Sequence, residues 1–394
     1  MMVLMHVIPR NIEENSQLRD EYTRKFNRLW SRLFGLYGLQ LHYGDEGNPF
    51  PKWKKFVIVL LPRLLTVLFT LRYIILIIRW PKYDMLVSYF PSTLFNTVSI
   101  VNAVLLLRRE TKFSALYKIL LEVAIKSSEN IKRMQRQIYI VLFILAIFNV
   151  SLLIDMMTYI RLTDNYIARN FFLYTEFNFH LLRIFIFFEY IFYFIYTQIF
   201  FDITIFYFSY MCKLLSLAFK DLNEEMERSF VSTSALTNAK LNKFRRQYRY
   251  LSHLAEQISE NFSPLVLFWL VALIVIFCKR IRSLKTFSDI SISLYCVFDA
   301  SRVSFLLIDI FNNSSELLSQ IRKMKGKVSE IMIFDEDETE GHQMRISMNC
   351  LLFSQTLNAD TVGISVSGLF LLSTVSFLTM ASTVMTYVVL VYQS

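Results

Sequence analysis

The residues best suited to chemistry in this sequence are charged and aromatic side chains inside three long apolar segments, at about 138–160, 177–211 and 290–311. An ionised group at the centre of a bilayer costs about 2.5 kcal/mol or more. Such groups therefore either surround a water-filled pocket for a small ligand or pair with one another between helices, and the sequence leaves both interpretations open. The candidate pocket residues are Asp155, Tyr159, His180, Arg183, Phe187, Tyr190, Tyr295, Asp299 and Arg302.

A neutral polar stripe runs along the last apolar segment, about 362–392, which contains no charged residue. At 100° per residue its hydroxyl and amide side chains fall within an arc of about 120°. Such groups can replace part of an ion's hydration without trapping the ion, although Ser and Thr also pack between membrane helices. The stripe consists of Ser376, Thr379, Ser382, Thr383, Thr386 and Gln393.

Signatures of enzymes, metal sites and cofactor sites are absent from the sequence. It has no HExxH, Walker or GxGxxG motif, its five histidines are scattered, and its four cysteines form no CxxC pair. The net charge of +10 comes from basic residues in short segments between apolar stretches, so it does not indicate nucleic acid binding. We therefore expect no catalysis, no cofactor, no metal and no nucleic acid partner.

The elements that position these residues are predicted to be membrane helices. Hydrophobic residues make up 54% of the 394 positions and charged residues only 19%, clustered between the apolar runs. A membrane-spanning helix needs about 20 successive apolar residues, and seven segments satisfy this. The fourth is long enough to continue beyond the bilayer. The predicted fold is an all-α membrane protein with seven transmembrane helices, at about 56–78, 86–107, 138–160, 177–211, 262–281, 290–311 and 362–392.

The distribution of positive charge predicts the orientation of these helices. The N-terminal segment and the three long connectors, Arg108–Gln137, Lys213–Asn261 and Asn312–Thr361, hold 30 of the 42 Lys and Arg residues, against 8 in the short connectors. The positive-inside rule then predicts a cytoplasmic N-terminus and an extracellular C-terminus. The basic cluster 279–285 is the one exception. The predicted divisions are a cytoplasmic segment 1–55, helices one to six with their connectors 56–311, a cytoplasmic connector 312–361 and a pore-lining helix 362–394.

The end of the chain resembles the signature of insect gustatory receptors, TYhhhhhQF, where h is hydrophobic. Thr386, Tyr387, the five residues 388–392 and Gln393 match, whereas Ser394 stands where that family usually has Phe. The length, the seven predicted spans, the predicted cytoplasmic N-terminus and the long fourth helix extend this resemblance over the whole chain.

The resemblance implies an insect chemoreceptor-type subunit of a homo- or heterotetrameric channel, formed with other gustatory receptor subunits. Its partners would be a small-molecule tastant, with a weak preference for a bitter or other non-sugar ligand, membrane lipid and permeating cations. Its location would be the plasma membrane of dendrites of chemosensory neurons. The implied pore and gate residues are Thr379, Thr383, Thr386, Tyr387, Val389, Leu390, Gln393 and Ser394.

Three alternatives remain beside the gustatory channel. An odorant receptor of the same superfamily is the nearest. A G-protein-coupled receptor would need the opposite orientation, and neither a DRY-like nor an NPxxY-like string is present. A secondary transporter would need helices broken by Gly or Pro near the midplane, and the chain contains only 8 Gly and 7 Pro.

Overall fold

The computed structural model describes residues 10–39, 52–79, 83–124, 128–162, 179–231, 238–286, 290–333, 348–349, 351–355, 357 and 362–393. The fold over these residues is almost entirely helical. A π-helical turn, Phe194–Ile199, joins α6 to α7, and two short strands, β1 (Ser365–Val366) and β2 (Phe370–Leu371), precede α10. The helices are α1 (Arg10–Gly35), α2 (Lys52–Arg79), α3 (Tyr83–Arg108), α4 (Glu110–Ala124), α5 (Ser128–Leu162), α6 (Phe179–Tyr193), α7 (Phe200–Val231), α8 (Asn238–Thr286), α9 (Ile290–Ile333) and α10 (Thr374–Gln393).

Helices α8 and α9 are much longer than a membrane is thick. With 49 and 44 residues, they extend about 74 and 66 Å at 1.5 Å per residue, against a hydrocarbon core of about 30 Å. The fourth predicted span likewise continues as one helical rod from Phe179 to Val231. Parts of the long polar connectors are therefore extensions of the neighbouring spans.

Four described helical segments are long and apolar enough to cross a membrane: Val57–Ile75, Lys132–Thr158, Ile184–Ser229 and Ala239–Lys285. Two shorter apolar helices, Ser92–Arg108 and Thr374–Leu390, overlap the second and seventh predicted spans. The sixth predicted span, in α9, is interrupted by three charged residues. The count of seven spans therefore stays a prediction.

Helix α7 lies at the centre of the fold, where it packs against α4, α8 and α9. Every residue from Phe200 to Cys212 is buried, as expected for a predominantly apolar helix that is surrounded by other helices. Aromatic rings of α1 cover one side of it: the Trp30 centroid lies 5.0 Å from that of Tyr207, and the Phe34 centroid lies 5.1 Å from the same ring. The N-terminal helix is thus part of the core.

A buried tyrosine of α4 completes this aromatic cluster. The ring centroid of Tyr117 lies 6.1 Å from that of Tyr207 and 6.2 Å from that of Tyr210. Burial raises the pKa of the Tyr117 hydroxyl, because an ionised phenolate would lose its hydration there. Tyr117 therefore stays neutral and acts as a packing residue.

The seventh predicted span begins with a hairpin instead of a helix. Strands β1 and β2 pair antiparallel, and the turn between them has positive φ angles at Ser367 (51°) and Gly368 (72°). Two successive residues with positive φ are the mark of a type I′ turn, whose twist suits a tight hairpin. The structure thus corrects the predicted helical range 362–392, because residues 362–373 lie outside the helix.

A reciprocal cap fixes the start of α10 at Thr374. The Ser373 hydroxyl oxygen accepts a hydrogen bond from the Ser376 backbone N–H at 3.2 Å, and the Ser376 hydroxyl oxygen accepts one from the Ser373 N–H at 2.9 Å. This is the arrangement of a capping box, with serine in the usual place of glutamate. Because the first N–H groups of a helix have no acceptor within the helix, these two side-chain hydrogen bonds stabilise the start of α10.

Candidate functional site

A buried network of charges joins α7 to α9. Arg302 donates to Asp299 Oδ1 through Nη2 at 2.8 Å and through Nε at 3.0 Å, and its Nη1 donates to Asp202 Oδ1. Arg302 and Asp202 are each 1% exposed, and Asp299 is 2% exposed. Two of the predicted pocket residues, Asp299 and Arg302, thus contact each other directly.

The network continues to α8 through Arg280. Its Nε donates to Asp299 Oδ2 at 2.6 Å, and its Nη2 donates to the Tyr295 hydroxyl at 3.1 Å. The guanidinium carbon also lies 4.6 Å from the centroid of the Tyr295 ring, which adds a cation–π contact. Arg280 belongs to the basic cluster that fitted the predicted orientation poorly. Its ion pair with Asp299 explains why a basic residue occurs at this end of the fifth predicted span, on the side with few Lys and Arg residues.

Polar side chains of α5 and the π-helical turn complete the network. Asn149 Nδ2 donates to Asp202 Oδ2 at 3.0 Å, and Gln198 Nε2 donates to Asn149 Oδ1 at 3.1 Å. All three side chains are buried. Each carboxylate therefore has an Arg partner, and the charges of the four ionisable groups balance. The network connects α5, α7, α8 and α9 in a region where an unpaired charge would be costly.

A second ion pair joins α2 to α6. Arg72 donates from Nη1 to Glu189 Oε2 at 2.7 Å and from Nη2 to Oε1 at 2.6 Å. The paired, parallel bonds give strength and direction. Because Arg72 and Glu189 lie in the first and fourth predicted spans, the pair fixes these two helices relative to each other.

The π-helical turn between α6 and α7 is a point of attachment for three other helices. The Tyr196 carbonyl accepts hydrogen bonds from Arg63 of α2 at 2.8 Å and from Ser99 of α3 at 3.3 Å. The Tyr37 hydroxyl, just after α1, donates to the Ile195 carbonyl at 3.1 Å. A π-helical turn displaces carbonyls from their regular partners and often occurs at functional sites.

The aromatic candidates differ in their positions. The ring of Tyr190 lies tilted against that of Tyr193, with centroids 6.0 Å apart, and Tyr190 lies close enough to Tyr295 to interact with it electrostatically. The Tyr190 hydroxyl is buried without a hydrogen bond of good geometry. Phe187, in contrast, is 39% exposed. The structure therefore brings Tyr190 and Tyr295 together next to the charge network and leaves Phe187 at the surface.

The remaining pocket candidates belong to the C-terminal part of α5 (Asp155 and Tyr159) and the N-terminal part of α6 (His180 and Arg183). Asp155 is half-buried, and its Oδ2 atom is buried without a hydrogen-bond partner among the described residues. The side chains of Tyr159, His180 and Arg183 lie outside the described part of the structure. Their role in a pocket stays a prediction.

The hydroxyls of α10 bond to the helix itself. Thr379, Thr383 and Thr386 each donate to the carbonyl four residues earlier, at 3.0 Å in all three cases. Satisfied in this way, they present a weakly polar surface. Such a surface is compatible both with an ion path along α10 and with packing of α10 against other membrane helices.

Much of α10 is uncovered in the single chain. It packs on α8 and α9, where the ring centroid of Phe377 lies 5.2 Å from that of Phe311 of α9. Four of its large apolar residues, Val375, Leu378, Met385 and Leu390, are at least 60% exposed. The implied pore and gate residues Thr379, Thr383, Thr386, Tyr387, Val389, Leu390 and Gln393 are all exposed as well, whereas Ser394 lies outside the described residues.

Two serines of α8 hold the hairpin that precedes α10. The Ser259 hydroxyl oxygen accepts a hydrogen bond from the Ser365 backbone N–H at 3.0 Å, and the Ser263 hydroxyl oxygen accepts one from the Ser367 N–H. The hairpin therefore connects the N-terminal end of α10 to the long helix α8. A movement of α8 would reach α10 through these two bonds.

Several members of the charge network were not among the predicted site residues. Asp202 is an acid inside the fourth apolar segment, the same signal that singled out Asp299 in the sixth. Arg280 was visible as an exception to the positive-inside rule. Asn149 and Gln198 are neutral and gave no comparable signal. Among the described residues, no group of three or more His, Cys, Asp or Glu side chains is arranged to hold a metal ion.

A family model described as 7tm chemosensory receptor matches residues 25–394, nearly the whole chain. The chain belongs to this family. The receptor is therefore a member of a class of membrane-spanning sensors of chemicals, a class without enzymatic activity. A comparison with curated proteins found no match.

Two solved structures share the fold of the receptor. The insect olfactory receptor OR5 from Machilis hrabei in complex with eugenol superposes with a TM-score of 0.75 at 14% sequence identity, covering 96% of this chain and 99% of that chain. Another structure of the same olfactory receptor gives a TM-score of 0.69 at 12% identity, covering 94% and 99%. At these identities the likeness concerns the fold.

Proposed function

We propose that the receptor is a gustatory receptor, a subunit of a ligand-gated, non-selective cation channel that detects small-molecule tastants. The observation that carries this proposal is α10. This helix has no charged residue, exposes a side of hydroxyls, and ends in the gustatory-like motif from Thr386 to Gln393. A helix of this kind that is left uncovered by its own chain is suited to line a pore between subunits.

In the proposed assembly, four α10 helices from a homo- or heterotetramer surround the ion path. Exposed apolar residues such as Leu378 and Val375 then pack between subunits, which removes them from contact with water or lipid. The stripe that includes Thr379 and Thr383 faces the permeating cations. The gate lies near the C-terminal end, where Tyr387, Val389, Leu390, Gln393 and Ser394 narrow the path.

The ligand pocket in this proposal lies beside the buried charge network. Tyr190 and Tyr295 supply an aromatic wall, and Asp155 supplies a carboxylate oxygen without a partner; Tyr159, His180, Arg183 and Phe187 complete the candidate lining. The Asp299–Arg302 pair forms its polar floor. A ligand that shifts this floor acts on α8 through Arg280, and α8 holds the hairpin before α10. A bitter or other non-sugar tastant is the preferred ligand.

The proposed orientation has the N-terminus in the cytoplasm and the C-terminus outside, in the plasma membrane of dendrites of chemosensory neurons. The uneven distribution of Lys and Arg supports it, and the ion pair of Arg280 with Asp299 accounts for one of the four basic residues in the exceptional cluster. A tag after Gln393 should be accessible to antibody on intact cells, and a tag before Arg10 only after permeabilisation.

The test of the proposed function is whole-cell current from cells that express the receptor, alone and with candidate co-subunits, while G-protein signalling is blocked. We expect a fast inward cation current evoked by a member of a bitter and sugar panel. A response that the block abolishes would instead indicate a G-protein-coupled receptor and would contradict the proposal.

An odorant receptor is the second candidate function, favoured by the fold that the receptor shares with an insect olfactory receptor. The same current assay separates the two when volatile compounds are applied beside non-volatile tastants. Activation by volatiles alone would favour the odorant alternative, whereas activation by non-volatile tastants favours the gustatory proposal.

A further inference from the structure

One face of α5 is exposed along most of the helix. At 100° per residue its members fall within an arc of about 80°. The apolar part begins at Tyr139 and reaches Ile154, 15 residues further on, which is about 22 Å of a hydrocarbon core of about 30 Å. This α5 face consists of Lys132, Arg136, Tyr139, Phe143, Ile147, Val150 and Ile154.

The two basic residues lie where this face enters the membrane. The segment Lys132–Thr158 is long and apolar enough to cross a bilayer, so Lys132 and Arg136 belong to its first two turns. Tyr139 follows them, and tyrosine is enriched at the membrane–water interface. Both basic side chains therefore lie at the level of the lipid headgroups, on the side that the proposed orientation places in the cytoplasm.

No acidic side chain in the described part of the protein compensates these two charges. Lys132 and Arg136 are exposed, and neither has a hydrogen bond or an ion pair with a described residue. Residues 126–136 contain four Lys and Arg residues and one acid, Glu129, whose side chain lies outside the described part. Positive charge is therefore in excess here, whichever residue Glu129 faces.

An open groove joins the charged part of the α5 face to its apolar part. Its volume is about 800 Å³, within the range of roughly 300 to 1,000 Å³ that is usual for small-molecule sites. Lys132, Gln135 and Arg136 line one end, whereas Tyr139 and Phe143 line the other. Cations beside an apolar wall suit an occupant with a negative head and an apolar tail.

We propose that this groove binds an anionic phospholipid of the cytoplasmic leaflet. The negative headgroup lies against Lys132 and Arg136, and the guanidinium can hold a phosphate through two parallel hydrogen bonds. An acyl chain lies along Tyr139 and Phe143 and continues over Ile147 into the hydrocarbon core. Phosphatidylcholine fits less well, because the two basic side chains repel its choline group.

The apolar end of the groove favours a lipid over a soluble anion. The side chain of Phe143 is 67% exposed and that of Tyr139 is 51% exposed. An acyl chain covers both rings, whereas a small soluble anion occupies the charged end alone. The cytoplasmic leaflet is also the source of anionic lipid that lies at the level of Lys132 and Arg136.

The test uses purified full-length receptor in nanodiscs of phosphatidylcholine with a minor fraction of phosphatidylserine carrying the same acyl chains. Mass spectrometry counts the lipid retained after transfer to detergent. Because each basic residue near the membrane surface attracts anionic lipid, we expect a preference for phosphatidylserine of at least about fivefold. Equal retention of the two lipids would overturn the proposal.

The double variant Lys132→Gln/Arg136→Gln should lower this preference to less than about twofold. Its matched control is Arg246→Gln/Arg249→Gln, which removes two exposed charges from the part of α8 before the fifth predicted span. The control should keep the preference. A preference that is unchanged in the first variant, or lowered equally in both, would contradict a site at the α5 face.

Photocrosslinking locates the lipid on the unaltered receptor and does not depend on the folding of a variant. Phosphatidylserine with a photoreactive group in its acyl chain should label peptides that contain Tyr139, Phe143 or Ile147. Labelling confined to other helices would overturn the proposal.

Two further arms separate charge from headgroup identity and lipid from soluble anion. Phosphatidylglycerol should be retained as well as phosphatidylserine, because the argument rests on negative charge; retention of phosphatidylserine alone would contradict it. Soluble phosphoserine should compete weakly, and competition as strong as that of the lipid would show a site for a soluble anion instead. None of these readouts uses channel current, so the outcome does not depend on the proposed taste function.

Discussion

The Nε atom of Arg280 lies 2.6 Å from Oδ2 of Asp299, which gives a partly buried basic residue at the end of a predicted span a buried acidic partner. The positive-inside rule concerns loop charges that must stay on one side of the membrane. A guanidinium neutralised inside the bundle is outside the scope of that rule. The pair thus accounts for Arg280, one of the four basic residues of the cluster at 279–285, and it links α8 to the rest of the network.

Arg302→Leu should strongly destabilise the receptor, because it leaves Asp202 buried without its ion-pair partner. Removing one member of a buried pair costs about 3 to 5 kcal/mol. The measurement is the melting temperature of purified receptor, followed by size-exclusion chromatography with fluorescence detection. The double variant Asp202→Leu/Arg302→Leu removes both charges and should recover most of the loss. A double variant as unstable as the single variant would contradict a role in charge balance.

Arg72→Lys should weaken the attachment of α2 to α6 even though the charge is kept. Lysine cannot form the two parallel bonds that the guanidinium makes with Glu189. We expect a smaller loss of stability than in Arg72→Gln, which leaves the buried carboxylate without a counter-charge. Thermal melting of the two variants side by side checks this order. Equal losses would mean that the charge alone matters.

Gly368→Ala should destabilise the hairpin before α10 by about 1 to 2 kcal/mol, because an L-residue is strained at its φ of +72°. No atom lies within 4 Å of the added methyl position, so the cost is purely conformational. Gly326→Ala, in the interior of α9 with equally open space, should stabilise by about 0.5 to 1 kcal/mol. Melting temperatures that move in the same direction in both variants would contradict the turn geometry.

Ser263→Ala should loosen the hairpin from α8, since the Ser367 N–H then loses its acceptor. If movement of α8 reaches α10 through this contact, the ligand concentration for half-maximal current should rise severalfold with surface expression unchanged. Ser319→Ala, an exposed serine of α9, is the control. Currents identical to those of the unaltered receptor would show that gating bypasses the hairpin.

Gln393→Ala should alter gating or single-channel conductance without reducing surface expression, because the proposal places this amide at the outer end of the ion path. Patch-clamp recording of evoked currents checks the prediction. Gln355→Ala, an exposed glutamine outside α10, provides the matched control. Conductance and gating unaffected by Gln393→Ala would remove Gln393 from the proposed gate.

The periodic, local features of the sequence were enough to predict much of the fold. Long, mostly apolar runs predict helices at α2, α3 and α5, and the length of the fourth run predicts the rod from Phe179 to Val231. The family resemblance rests on eight residues at the end of the chain, and the family match over residues 25–394 confirms membership of the chemoreceptor superfamily. These features depend only on near neighbours in the chain.

The tertiary structure alone decided which charges meet. Asp202 and Arg302 are 100 residues apart, and no local pattern indicates that helical packing brings them into contact. The hairpin at 365–371 was missed for a related reason. Its small and apolar residues are also common in membrane helices, and its docking on Ser259 and Ser263 of α8 favours the turn. Sequence therefore determined which segments are helical and apolar, whereas packing determined the partners, because a buried charge is tolerated only where a distant residue neutralises it.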